Sequence, residues 1–283
     1  IAVHAEDEDR MNERRKLIEG RTDVAAHAYY RDDITALLAT KLSVELAIKT
    51  GHRLHILHLT SGIEADYLAD YCTLPSKAEQ HPIITTEVLP QHLTFDETDV
   101  DEQGVRLQMN PPIRYAADRD ILWSRLRDGT IQCIATDHAP HTLEDKAKGF
   151  PKAPSGMPGV ETSLSVMLTN VNDGKCSLED VVRWMSTDVA DCYQMIGKGK
   201  LEVGYDGDIV LVDMAAKAVV EDENSWARVG WNPFSGRELT GWPVLTVVDG
   251  IPVFERSPVT GQKGRLLVEP GSVGKPILMK PWN

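Results

Sequence analysis

No apolar run in this 283-residue chain approaches the roughly 20 residues that a helix needs to span a bilayer, which excludes a transmembrane protein. Basic residues are in short supply, with 30 Lys and Arg against 43 Asp and Glu and a formal charge of −13. A surface of that sign repels phosphate backbones, so nucleic acid is not an expected partner. The densest basic stretch, residues 10–16, is interrupted by Glu13 and reads as a solvated helix face. Cysteine is scarce as well. Cys72, Cys133, Cys176 and Cys192 lie far apart without CxxC spacing, which argues against a disulfide framework or a thiolate metal site and suits a reducing, cytoplasmic setting. Internal repeats and low-complexity tracts are missing too. The opening Ile1-Ala2-Val3-His4 is neither a Met start nor a signal peptide. It reads as the end of a buried strand, and the expectation is a chain cut from something longer.

The composition is that of an ordinary globular protein, 42% hydrophobic and 26% charged. Short apolar strands at 2–4, 53–59, 83–89 and 131–136 alternate with helical stretches at 32–50, 63–71, 118–126 and 160–171. In the first helix Ile34, Leu37, Leu38, Leu42, Leu46 and Ala47 fall near helical spacing, and Gly51 marks its stop. Such alternation implies βαβ units and a parallel sheet or barrel. From about residue 199 the runs become short and Val-rich, and Val248-Asp249-Gly250-Ile251 is a strong hairpin signal. Residues 1–198 are therefore read as an α/β barrel portion and 199–283 as a small β-rich domain whose last stretch, 261–283, wraps the surface.

If the sheet closes into a barrel, functional residues belong at the C-terminal ends of strands. His4 ends the first strand, His58 the second and Asp137 the fourth. Imidazole and carboxylate are the ligand types of hydrolytic zinc. His55 and His58 are an odd number of residues apart and point to opposite faces of a regular strand; His58, nearer the end, is the candidate. In Thr136-Asp137-His138-Ala139-Pro140-His141 a strand-ending carboxylate is followed four residues later by an imidazole. The plainer reading makes Asp137 a helix cap and His141 a surface residue, and either of His4 and His58 alone is better read as a core histidine. Their joint placement favours a site. His27, His52 and His81 read as surface groups, His92 as packing near the site and His138 as structural.

Several segments, in order, resemble those of dihydroorotases: Val3-His4-Ala5-Glu6, Leu54 through Ser61, Thr86 through Leu93, Met109-Asn110-Pro111-Pro112-Ile113-Arg114, Ala135 through His141, and Ser155 through Thr162. Gly204-Tyr205-Asp206-Gly207-Asp208 is similar to the entry into the β domain of the wider amidohydrolase superfamily. The resemblance implies the second half of a (β/α)8 TIM-type barrel followed by the small β-rich domain. It implies reversible, zinc-dependent hydrolysis of the cyclic amide of dihydroorotate, a small-molecule substrate, to N-carbamoyl-aspartate. By position, His4 and His58 resemble the histidines of one of two zinc ions. Asp137 resembles the ligand of the other and the acid/base group. Asn110 and His141 match substrate contacts, as does the backbone at Gly156 and Pro158.

Asn110 and the Gly156–Thr162 stretch favour dihydroorotase over an allantoinase or hydantoinase, while Gln108 departs from the usual Lys. An inactive scaffold subunit need not keep these ligands. The family pattern also needs a His-x-His pair and a metal-bridging residue, for which the chain has no counterpart. The expectation is that a missing N-terminal segment, in the same or another polypeptide, supplies them. A homodimer is compatible with the resemblance.

Overall fold

The computed structural model describes residues 1–79, 83–256 and 263–280, so His81 and the tail residues 261, 262 and 281–283 lie outside the described residues. Strands β1 (Ala2–Val3), β2 (Leu54–Leu59), β3 (Ile84–Val88) and β4 (Cys133–Ile134) pair in parallel in chain order. Parallel neighbours cannot be joined by a tight turn, so helical crossovers separate them. Between β1 and β2 run α1 (Glu8–Arg15), α2 (Ala25–Tyr30) and α3 (Asp33–Thr50). Helix α4 (Gly62–Leu68) precedes β3, while α5 (Glu97–Gln103) and α6 (Ala116–Asp128) lead to β4, and α7 (Leu143–Lys146) follows it. Every residue of β3 is buried, and in β2 all but Leu57, as befits a sheet covered on both faces. All four C-terminal ends fall on one edge. The β2–β3 register shifts between Ile56 and Leu59, which re-aims the end of β2.

The expected helix over 32–50 is present: the Asp32 carboxylate accepts from the Thr35 N–H, and Gly51 closes it in the left-handed region. Its buried face differs from the leucine spacing. Thr35, Ala36, Thr40, Val44 and Ala47 are buried, whereas Leu38, Leu42 and Leu46 are exposed. The small residues let α3 lie close on α4 and β2. The basic stretch at 10–16 is helical as expected, yet α1 buries Met11 in a cluster with Ile18, Ala26, Tyr30 and Phe150.

The chain divides into two compact units, Ile1–Gly159 and Val160–Asn283. That boundary falls ahead of the 198/199 division expected from composition. The second unit contains α8 (Ser163–Asn172), α9 (Leu178–Val182), α10 (Asp188–Cys192) and an antiparallel sheet. Its strands β5 (Ile209–Val219), β6 (Glu238–Val248), β7 (Ile251–Glu255) and β8 (Arg265–Leu266) also pair in chain order. The Asp-Gly hairpin joins β6 to β7 with φ of 55° at Asp249 and 78° at Gly250, the positive pair a type I′ turn requires. Helix α8 is fastened to β6 where the Thr240 N–H donates to Thr169 Oγ1 at 2.9 Å. No described helix is long and apolar enough to cross a membrane.

Candidate active site

Backbone pairing brings the ends of β1 and β2 side by side, with Val3 opposite Ile56. His4 Nδ1 and His58 Nε2 then lie 3.0 Å apart, the two rings meeting edge-on at 4.8 Å between centroids. The other nitrogen of His4, Nε2, is 2.8 Å from Glu6 Oε2. The Glu6 side chain is fully buried and forms a bidentate ion pair with Arg31. Burial pushes the Glu6 carboxyl up, but hydrogen bonds from His4 and Arg31 and the Arg31 charge outweigh it and hold it at about 2. A carboxylate there keeps the Nε2 proton on His4 and turns the Nδ1 lone pair toward His58. His58 Nδ1 is buried and has no hydrogen-bond partner among the described residues. His55 is engaged elsewhere, with Nδ1 at 2.8 Å from Thr85 Oγ1 and Nε2 at 3.1 Å from Glu87. Of the two histidines on β2, His58 is the one that meets His4.

Asp137 follows β4 and shares an electrostatic environment with this pair. Burial raises its carboxyl above the ordinary value, opposed by His58 and His4 and reinforced by Glu87. Burial likewise lowers His58, with His4 adding to the shift and Asp137 and Glu87 opposing it. Only four described non-glycine residues have a positive φ, and His58 (37°) and Asp137 (43°) are two of them. That conformation costs a residue with a Cβ about 1 kcal/mol or more and persists where surrounding structure imposes it, often at functional sites.

The remaining candidates gather around Gln108. Its carbonyl accepts from the Gly156 N–H and from Lys146 Nζ, both at 2.9 Å, and its amide Nε2 donates to the Ala153 carbonyl at 2.7 Å. His141 Nε2 donates to the Ser155 carbonyl at 3.1 Å. Gly156 has φ of 130°, and a Cβ there would sit 2.4 Å from the Ala139 carbonyl oxygen, so only glycine lets this loop lie against the one carrying Asp137 and His141. Pro158 is buried beside it. Asn110 lines a cavity of about 670 Å³ together with His27, Gln108, Ser155 and Arg31. Arg31 links the two groups, since its guanidinium pairs with the Glu6 that holds His4.

Sequence reasoning missed three of these residues. His27, expected at the surface, is only 4% exposed, because its ring packs edge-on against Tyr30 and Phe150. Its hydrogen-bond partners, Met109 and Asn110, are 82 and 83 residues away, beyond the reach of any local pattern. Lys146, which no sequence motif singles out, is buried, and burial lowers its pKa to about 8. Glu6 could have been found, since it stands two residues beyond a strand-ending histidine.

The histidine pair fits a metal ion as two of its ligands. A tetrahedral zinc about 2 Å from each nitrogen would hold them about 3.3 Å apart, close to the spacing present. Among the described residues no group of three His, Cys, Asp or Glu is arranged to hold a metal by itself. The pair by itself offers two nitrogen donors to such an ion.

Comparison with known proteins identifies relatives of this chain. The Amidohydrolase family profile matches residues 1–253. A dihydroorotase of Halobacterium salinarum is 34% identical over 267 residues, covering 94% of this chain and 59% of that protein. A dihydroorotase of Geobacillus thermodenitrificans is 36% identical over 215 residues, covering 75% of this chain and 48% of that protein. Among solved structures, the L-hydantoinase of Arthrobacter aurescens superposes with a TM-score of 0.86 at 32% identity, covering 95% of this chain and 58% of that one. The chain therefore spans about half to three fifths of the length of these relatives. Their likeness implies a TIM-barrel-type fold for the parallel unit. With the profile matched over most of its length, the chain belongs to the amidohydrolase family.

Proposed function

We propose that this chain is the C-terminal part of a dihydroorotase, comprising the second half of the barrel over residues 1–198 and a β-rich domain over 199–283. The complete protein would open the cyclic amide of dihydroorotate with water to give N-carbamoyl-aspartate, reversibly, in the cytoplasm. A homodimer is compatible with that assignment. The observation that carries the reading is the convergence of His4 Nδ1 and His58 Nε2 to 3.0 Å in the electrostatic environment of Asp137. The dihydroorotase relatives support the choice of substrate.

Two zinc ions are expected in the complete protein, with His4 and His58 holding one and Asp137 contributing to the other. When bound, they supply Lewis acidity and lower the pKa of bound water toward neutrality. Asp137 takes the proton from the attacking water and delivers it to the departing ring nitrogen, acting first as base and then as acid. A carboxyl raised by burial is suited to that exchange. Glu6 keeps His4 in the tautomer whose Nδ1 lone pair is free to bind metal. Asn110, His141 and the backbone at Gly156 and Pro158 would hold the substrate, with Gly156 bonded to Gln108, His141 to Ser155 and Asn110 to His27. The His-x-His pair and bridging residue would come from a segment in the same or another polypeptide.

The likeness to an L-hydantoinase keeps the hydantoin ring as a second candidate substrate. Turnover of dihydroorotate, allantoin and hydantoin by the full-length, zinc-loaded protein tests both readings. Selective hydrolysis of dihydroorotate, reduced at least a thousandfold by Asp137→Ala, is the expected result, a loss of roughly 4 kcal/mol or more in transition-state stabilisation. Preferential turnover of hydantoin would overturn the substrate, and no turnover of any ring would overturn the enzyme.

A further inference from the structure

His27 does more than fill the core. Its Nε2 lies 3.0 Å from the Met109 carbonyl and 2.8 Å from Asn110 Oδ1. A backbone carbonyl can only accept, so Nε2 must carry the proton. A single N–H directed at two neighbours requires both to be acceptors, which fixes the Asn110 side chain with its oxygen toward His27 and its NH2 turned away. Among the described residues none accepts a hydrogen bond from that NH2, and Asn110 lines the cavity. The imidazole itself cannot easily turn, because Tyr30 and Phe150 hold it edge-on at 5.5 and 5.9 Å. Burial depresses its pKa to about 4, which keeps it the neutral, single-donor form at physiological pH.

We propose that His27 is a positioning residue that sets Asn110 to present a donor, and thereby makes the cavity selective for ring substrates that offer an acceptor oxygen, a carboxylate or carbonyl, at that point. The charge around the cavity agrees. Arg15 and Lys16 line it against the acid Glu19, while Arg21 and Arg31, which also line it, are paired with Asp23 and Glu6, so an anionic acceptor meets a small excess of positive charge as well as the NH2. This inference rests on the reading that Asn110 contacts substrate.

The test uses the full-length, metal-loaded protein, with dihydroorotate for kinetics and N-carbamoyl-aspartate for calorimetric binding. Removing the donor with His27→Leu should raise KM and Kd about tenfold while kcat changes less than threefold, since a lost orienting hydrogen bond weakens ligand affinity rather than the chemistry. His27→Gln, which restores an N–H near the position of Nε2, should recover most of that loss. In an Asn110→Ala background His27→Leu should add less than twofold. Loss of affinity in the leucine variant that is undiminished in that background, or that glutamine does not rescue, overturns the positioning role. If Asn110→Ala alone leaves KM and Kd unchanged, it is the substrate-contact reading that fails. Nitrogen-15 NMR of wild-type His27 needs no variant: the neutral Nε2–H tautomer at pH 7 is expected, and the Nδ1–H tautomer overturns the proposal.

Discussion

Glu6 holds two donors at once, the Arg31 guanidinium on one side and the His4 ring on the other. Its side chain is completely buried and that of Arg31 nearly so, so Glu6→Gln leaves a desolvated guanidinium without its counter-charge. Breaking a buried pair in this way destabilises by about 3 kcal/mol or more. The same substitution frees His4 to adopt the other tautomer, and loss of such a supporting group typically weakens metal binding about 10- to 100-fold. Thermal unfolding and zinc competition against a chelator, run on the full-length protein, measure the two effects separately. Zinc affinity unchanged in Glu6→Gln would show that His4 needs no orienting carboxylate. His4, His58 and Asp137 were legible as candidates because a strand end is a local feature, visible in hydrophobic pattern. The buried places of His27 and Lys146 were not. His27 and Lys146 owe their surroundings to segments far along the chain, and a histidine or buried lysine looks the same in sequence as an exposed one.

Helix α3 shows the same limit one level up. Its ends were readable because Asp32 and Gly51 act on their immediate neighbours. Its inward face was not, because periodicity locates stripes on a helix without saying which one meets the sheet. Here the stripe of small residues is buried and Thr40 donates from it to Glu64 on α4, leaving Leu38, Leu42 and Leu46 outside. The packing predicts an asymmetry opposite to side-chain size. Val44→Ala, at a fully buried position, should lower unfolding free energy by about 2 kcal/mol, whereas Leu42→Ser should change it by less than about 0.5 kcal/mol. Urea midpoints with unchanged m-values would measure both. A Leu42→Ser loss as large as that of Val44→Ala would mean that the leucine stripe is covered in the full-length protein.

At the scale of the molecule, the alternation of strand and helix and the Asp-Gly hairpin were legible because each is written in a short stretch of residues. The boundary at Gly159/Val160 was not, since compactness depends on which helices pack with which sheet, and α8 is fastened to β6, far along the chain. The acidity of the chain is legible as a count, yet its effect on stability depends on where each carboxyl lies. Glu64 is completely buried, and desolvation raises its pKa to about 7, against the smaller opposing effects of Thr40 and Arg114. Between about 4.5 and 7 the folded chain therefore binds a proton that the unfolded chain does not, so this group subtracts stability as pH rises through that window, on the order of 3 kcal/mol in all. His27 acts in the opposite direction: its folded pKa of about 4 lies below the ordinary 6.5, so stability is lost as pH falls between those values. The two nearly cancel in the wild-type profile, and only a difference measurement separates them. Glu64→Gln keeps an oxygen to accept from Thr40 and removes the titration. It should match wild type near pH 4.5, gain on it steadily up to pH 7, and remain more stable by about 2–3 kcal/mol at pH 8. Chemical denaturation across that range measures the difference, and profiles that run parallel from pH 4.5 to 8 would show that Glu64 is ionised in the folded state like any surface glutamate.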